Sequence, residues 1–70
     1  MERKRVSAGA IRSVGYDQAS RTLEIEFTSG SVIQYTNVPV EVHRRFLAAP
    51  TLISFFRDNI EEEYSTRRVR

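Results

Sequence analysis

The chain of 70 residues contains no cysteine, no tryptophan and one histidine. Without cysteine there can be no disulfide bond, and a single histidine cannot supply the three or four nitrogen and sulfur ligands of a zinc site. No loop of the DxDxDG type is present to bind calcium. We therefore expect no metal and no cofactor, and we expect packing or a partner subunit to stabilise this small domain.

Long apolar runs are also missing. The longest spans residues 46–49, whereas a membrane helix needs about 20 apolar residues. The charged N-terminal segment lacks the apolar core of a secretory signal. With 40% hydrophobic and 29% charged residues, the composition is typical of a globular domain. We expect no membrane segment, and since there is no cysteine from which to infer a redox compartment, the cytoplasm is the default location.

Groups suited to catalysis are scarce. His43 has no cysteine to activate, and the serines and threonines lie mainly in predicted turns and tails, so no nucleophile–base pair is expected. Glu24 and Glu26 are predicted to lie on a solvated strand face, which offers no cleft for acid–base chemistry. His43 is interpreted as a solvated helix residue. The sequence therefore predicts a protein that is not an enzyme.

The net charge of +2 is unevenly distributed. Residues 1–5 carry three cations and one glutamate, and residues 67–70 carry three arginines. The remaining residues hold five arginines and eight carboxylates. We therefore expect a mildly acidic folded body with two basic tails, whose cations could hold phosphate groups: Arg3, Lys4, Arg5, Arg67, Arg68 and Arg70.

Two of three predicted strands have distinct patterns. In residues 11–16 the apolar anchors Ile11 and Val14 are three apart, so either a bulge lies near Gly15 or one anchor faces outward. Residues 22–27 alternate strictly between polar and apolar side chains, the period of a half-buried strand.

The third strand is predicted over residues 32–36. A three-residue loop containing Gly30 gives the register that keeps the apolar side chains together. In that register Leu23, Ile25 and Phe27 align with Ile33 and Tyr35.

Two prolines delimit the predicted helices. Pro39 suits the first helical position, and Pro50 removes the preceding residue from the helical region. A second helix begins near Leu52 with one apolar stripe. The fold class is therefore α+β, a three-stranded antiparallel meander followed by two short helices. A flexible basic arm is expected over residues 1–9, the domain over 10–64 and a basic tail over 65–70.

The order of these features resembles the KTSC domain family, short modules that also occur at the C-terminus of some lysyl-tRNA synthetases. The resemblance covers residues 6–69. It depends most on Gly15-Tyr16-Asp17, on the strand of residues 23–27, and on Tyr35 followed by Val38-Pro39. This chain departs from the family pattern at Ile33, where the first Tyr of a Tyr-x-Tyr pair is usual and only Tyr35 remains. It also departs at Ile53, Phe55 and Arg57, where a Gly, a Tyr and an Asn are usual.

The synthetase association implies a binding module with RNA, tRNA-like, as its partner. Tyr16 is predicted to be exposed and able to stack on an unpaired base, whereas Tyr35 and Tyr64 are predicted at the edge of the core. The predicted nucleic-acid-binding residues are Tyr16, Arg44, Arg45, Arg67 and Arg68.

The alternative is a protein-interaction or homodimerisation module. A three-stranded meander has an open edge that can accept another strand. Phe55 lies off the buried stripe, and with Leu52 it could form an exposed apolar surface. Burial of both residues favours a self-sufficient monomer, and exposure of both favours an interface.

Overall fold

The computed structural model describes residues 3–70 apart from the side chain of Ser7. Its five strands form one antiparallel sheet in chain order. The two helices come between the fourth and fifth strands. The elements are β1 (Arg3–Ala8), β2 (Ile11–Asp17), β3 (Thr22–Phe27), β4 (Val32–Tyr35), α1 (Val40–Ala48), α2 (Leu52–Asn59) and β5 (Thr66–Arg68). Within residues 3–70, neither helix has the length and apolar character needed to cross a membrane.

The α+β class is confirmed, but the prediction of three strands is wrong. Strand β1 pairs with β2 along the segment expected to be an arm, and β5 pairs with β4 along the segment expected to be a tail. Met1 and Glu2, where the predicted arm begins, lie outside the described residues. Both added strands are sheet edges rich in arginine, and edge strands tolerate charges that a central strand would exclude.

Strand β2 contains a bulge at Arg12. Its pairing with β3 shifts register between Ile11 and Ser13, so Arg12 is the extra residue. The shift places both Ile11 and Val14 in the core, at 1% and 3% exposure. The predicted bulge therefore exists, but it lies at Arg12 and not near Gly15.

The predicted register of β3 and β4 is confirmed. Leu23 lies opposite Tyr35, and Ile25 lies opposite Ile33. The connecting loop closes where the Gly30 amide donates a 2.9 Å hydrogen bond to the Phe27 carbonyl oxygen. Gly30 has a φ of 96°, a conformation that favours glycine.

The helices cover one face of the sheet, which we call the inner face. Pro39 caps α1 and does not begin it, whereas Pro50 acts as predicted and holds Ala49 extended at a ψ of 139°. The rings of Phe56 and Tyr35 meet edge to face at 5.6 Å, which ties α2 to the sheet. The core cluster comprises Ile11, Val14, Leu23, Ile25, Tyr35, Val38, Phe46, Phe56 and Ile60.

Candidate nucleic-acid interface

The other side of the sheet, which we call the outer face, is polar apart from Val32, which lies opposite Glu26. Residues directly opposite each other in an antiparallel pair point to the same face. Glu24 is opposite Gln34, and Gln34 is opposite Arg67. Ser13 is opposite Arg5. The strands therefore bring arginines from both edges of the sheet onto the face that carries the glutamates of β3.

Glu24 is buried on this face at 6% exposure. Its Oε2 lies 2.7 Å from Nη1 of Arg3, and Nε2 of Gln34 donates a 2.9 Å hydrogen bond to Oε1. The prediction of a solvated position is therefore wrong for Glu24, because β1 adds a strand beside β2 and brings Arg3 over the carboxylate. A carboxylate this buried needs such partners.

Glu26 has a different set of partners. The Ser13 hydroxyl donates a 2.8 Å hydrogen bond to Oε1, and the guanidinium groups of Arg70 and Arg12 lie 3.1 Å and 3.8 Å from Oε2. The hydrogen bond from Ser13 is the main reason that the pKa of Glu26 is lowered, with the arginines adding to the effect. Glu26 is thus held as an anion among cations.

The outer face carries more positive than negative charge. Its carboxylates are Glu24, Glu26 and, at the end of β2, Asp17. An open depression of about 500 Å³ lies among three of its arginines, beside Ser13 and Glu26. We call its five arginines the arginine face: Arg3, Arg5, Arg12, Arg67 and Arg70.

The two helices and the turn after α2 have the opposite balance. Their exposed carboxylates outnumber their arginines, which are Arg44, Arg45 and Arg57. The carboxylates are Glu41, Asp58, Glu61, Glu62 and Glu63. The cations expected in two tails therefore lie on or next to the edge strands of the sheet, and the carboxylate-rich segment is confined to the helices and the turn after α2.

Tyr16 lies on the inner side of the sheet. Its ring stacks on His43 of α1 with centroids 4.5 Å apart and planes 10° apart, and its hydroxyl donates a hydrogen bond to the Val38 carbonyl oxygen. Both rings are half-buried, so the predictions of an exposed Tyr16 and a solvated His43 are wrong. Burial raises the pKa of Tyr16 and lowers the pKa of His43.

The five predicted binding residues do not form one site. Arg44 and Arg45 are exposed on α1, where Arg45 makes its predicted i, i+4 pair with Glu41 at 3.4 Å. Arg67 points to the outer face, and β5 lies three strands from the β2 strand of Tyr16, about 14 Å at ordinary strand spacing.

Arg68, next to Arg67, lies at the edge of the sheet. Its Nη2 donates a 3.5 Å hydrogen bond to Oγ of Ser31. Arg12 was absent from the predicted residues. The alternation of Arg3 and Arg5 along β1, two strands from the glutamates of β3, is the sequence signal that could have identified the arginine face.

Leu52 and Phe55 are half-buried and pack against the core, with the Phe55 ring 6.0 Å from that of Phe46. Burial of both residues would have favoured a self-sufficient monomer and exposure of both an interface, and neither outcome is found. The expected open edge of the meander is covered by β5, and its other edge by β1. Within the described chain, the large hydrophobic side chains that are exposed are Leu47 at 41% and Val69 at 54%.

Comparison with known proteins identifies the fold with a family. The sequence model of the KTSC domain family matches residues 7–64 of this chain. An uncharacterized protein of Stutzerimonas stutzeri (strain A1501) is 34% identical over 64 residues, which cover 91% of this chain and 90% of that protein. The crystal structure of the KTSC domain protein YPO2434 from Yersinia pestis is similar with a TM-score of 0.95 and 35% identity, over 99% of this chain and 97% of that one. The sequence resemblance is thereby confirmed, and this chain belongs to the KTSC domain family.

Proposed function

We propose that this protein is a small non-catalytic module that binds RNA through the arginine face. The observation that carries the proposal is that five arginines, from β1, β2, β5 and position 70, share one face of the sheet with only three carboxylates. Guanidinium groups bind phosphate oxygens bidentately, and clustered arginines give the salt-sensitive affinity typical of nucleic-acid binding.

Two of these arginines are available for a ligand. Arg5 and Arg67 are exposed, and within residues 3–70 neither forms an ion pair. The ion pair between Arg12 and Glu26 is long, at 3.8 Å, and the Arg12 side chain is 48% exposed. Because such a pair is weak, Arg12 can turn toward a phosphate at little cost in free energy. The depression between Arg3, Arg5 and Arg12 is open to solvent and can admit a phosphate group.

RNA is the partner favoured by the synthetase association of the family, which the sequence resemblance implied. The strand register points the aromatic side chains of β2, β3 and β4 inward. Contacts on the arginine face are therefore expected to be with phosphates and not with bases, and such contacts position a strand without reading its sequence.

The test is fluorescence anisotropy of a labelled tRNA and a labelled unstructured RNA across a salt series. The double variant Arg5→Glu/Arg67→Glu is compared with Arg44→Glu/Arg45→Glu, which makes the same charge change on α1. We expect the outer-face variant to lose about tenfold or more in affinity and the α1 variant to lose about threefold or less. Loss of two phosphate contacts should also lower the log–log salt slope by about 1.4.

Charge reversal is preferable to removal of the terminal segments, because β1 and β5 are part of the sheet. Equal losses in the two double variants would contradict a site on the outer face. Absence of binding at about 50 mM salt, where phosphate contacts are strongest, would contradict RNA binding altogether.

A further inference from the structure

A second depression lies on the inner side of β1, between the sheet and α1, and we call it the β1–α1 groove. Its volume is about 560 Å³, within the range of about 300–1,000 Å³ found for small-ligand sites. The residues that line it include Arg3, Lys4, Gly15, Tyr16, His43 and Leu47. The sequence predicted base stacking by Tyr16 and phosphate binding by the N-terminal cations, but it did not bring them together in one groove beside His43 and Leu47.

The groove has an aromatic and an apolar wall. Tyr16 and His43 are stacked on each other, and both remain half-exposed where they border the groove. Leu47, one turn along α1 from His43, is 41% exposed and lines the same space. Because burial lowers the pKa of His43, its ring is neutral near pH 7 and presents an aromatic surface.

The charged residues of the groove are cations. Lys4 is exposed on β1, and Arg3 lines both this groove and the depression on the outer face. No carboxylate lines the groove among the residues that the structure describes. The combination of a flat aromatic pair, an apolar wall and cations at the rim fits a planar heterocycle that carries a phosphate.

We propose that the β1–α1 groove binds one unpaired nucleobase, with the attached phosphate held by Lys4, whose side chain points to the inner side of β1. If the base belongs to an RNA strand, this inference rests on the proposed function. Such a strand would pass around the edge of the sheet at β1, with its next phosphates on the arginine face. A free mononucleotide offers the same chemistry, and the experiment distinguishes the two sources.

Glycine amides provide a direct reporter for the test. The chain has three glycines, and selective ¹⁵N-glycine labelling therefore gives three amide signals. Gly15 lines the groove, whereas Gly9 and Gly30 lie in the turns after β1 and β3. The full chain is titrated with adenosine monophosphate, with a short oligouridine RNA and with inorganic phosphate.

We expect the Gly15 signal to shift saturably with the mononucleotide and with the RNA but not with inorganic phosphate. With the mononucleotide, the signals of Gly9 and Gly30 should stay in place. The variant Leu47→Glu, which puts an anion into the groove wall, should weaken the mononucleotide effect about tenfold. Ala48→Glu makes the same charge at the next exposed position of α1, away from the groove, and should change it by less than about twofold.

The outcomes separate the two proposals. RNA binding in the anisotropy assay with an unmoved Gly15 signal would overturn the groove proposal and leave the arginine face intact. A Gly15 shift as large with inorganic phosphate as with the mononucleotide would overturn the role of the base. A Gly15 shift with the mononucleotide but no RNA binding would support the groove as a nucleotide site and overturn the proposed RNA function.

Discussion

Replacement of Arg3 by methionine tests whether β1 is a structural strand. Arg3 and Glu24 form an ion pair at 2.7 Å with side chains 27% and 8% exposed. An exposed ion pair contributes about 0–1 kcal/mol, whereas removal of one partner from a buried pair costs about 3–5 kcal/mol. Arg3 is partly exposed and Glu24 keeps its hydrogen bond from Gln34. We therefore expect Arg3→Met to lower the free energy of unfolding by about 2 kcal/mol.

The matched control is Arg5→Met, on the same strand and the same face. Arg5 is exposed and has no ion pair within residues 3–70, so its replacement should cost less than about 0.5 kcal/mol. Methionine retains most of the aliphatic stem, so that the comparison isolates the guanidinium group. Urea unfolding followed by far-ultraviolet circular dichroism measures both values, and the midpoint should shift at constant slope.

A second background tests the cause of the effect. In Glu24→Gln the buried carboxylate is gone, so Arg3→Met should then cost about 1 kcal/mol less than in the natural sequence. Equal costs for Arg3→Met and Arg5→Met would refute the reasoning. They would mean that Arg3 does not compensate Glu24 and that the N-terminal segment behaves as the arm expected from sequence.

Two further predictions concern titration. Burial raises the pKa of Tyr35 to about 12. The neutral phenol of Tyr35 therefore stabilises the fold fully below about pH 10, the ordinary pKa of tyrosine. This contribution to the free energy of unfolding is lost as the pH rises through about 12. The part of the phenolate absorbance that titrates near pH 12 should disappear in Tyr35→Phe. The lowered pKa of Glu26 means that its ionised form stabilises the fold above its ordinary pKa, and that this contribution is lost as the pH falls through the folded value. Ser13→Ala removes the main cause, so unfolding measured between about pH 3 and pH 7 should depend less on pH.

The central part of the fold could be predicted because its residues carry strong local patterns. The alternation of residues 22–27 marks β3, and the register with β4 follows from keeping apolar side chains on one face. Pro50 separates the helices because the residue before a proline leaves the helical region. Each of these inferences uses residues close together in sequence.

The edge strands could not be predicted in this way. Val6 is the only large apolar residue of β1, and β5 consists of a threonine and two arginines. Their pairing depends on partners far along the chain, such as Glu24 for Arg3, and on backbone hydrogen bonds that any sequence can make. The candidate interface was therefore divided between two supposed tails.

The same ion pairs separate the arginines that the fold requires from those that it does not. Arg3 compensates Glu24, and Arg12 and Arg70 flank Glu26. Arg5 and Arg67 have no such role among the described residues, yet they project from opposite edge strands onto the same face. Charged side chains on edge strands discourage pairing with other chains. That protection does not require the charges of both edge strands to lie on the same face of the sheet. If Arg5 and Arg67 serve a ligand, their replacement should reduce RNA affinity and leave unfolding unchanged, whereas replacement of Arg3 should alter both.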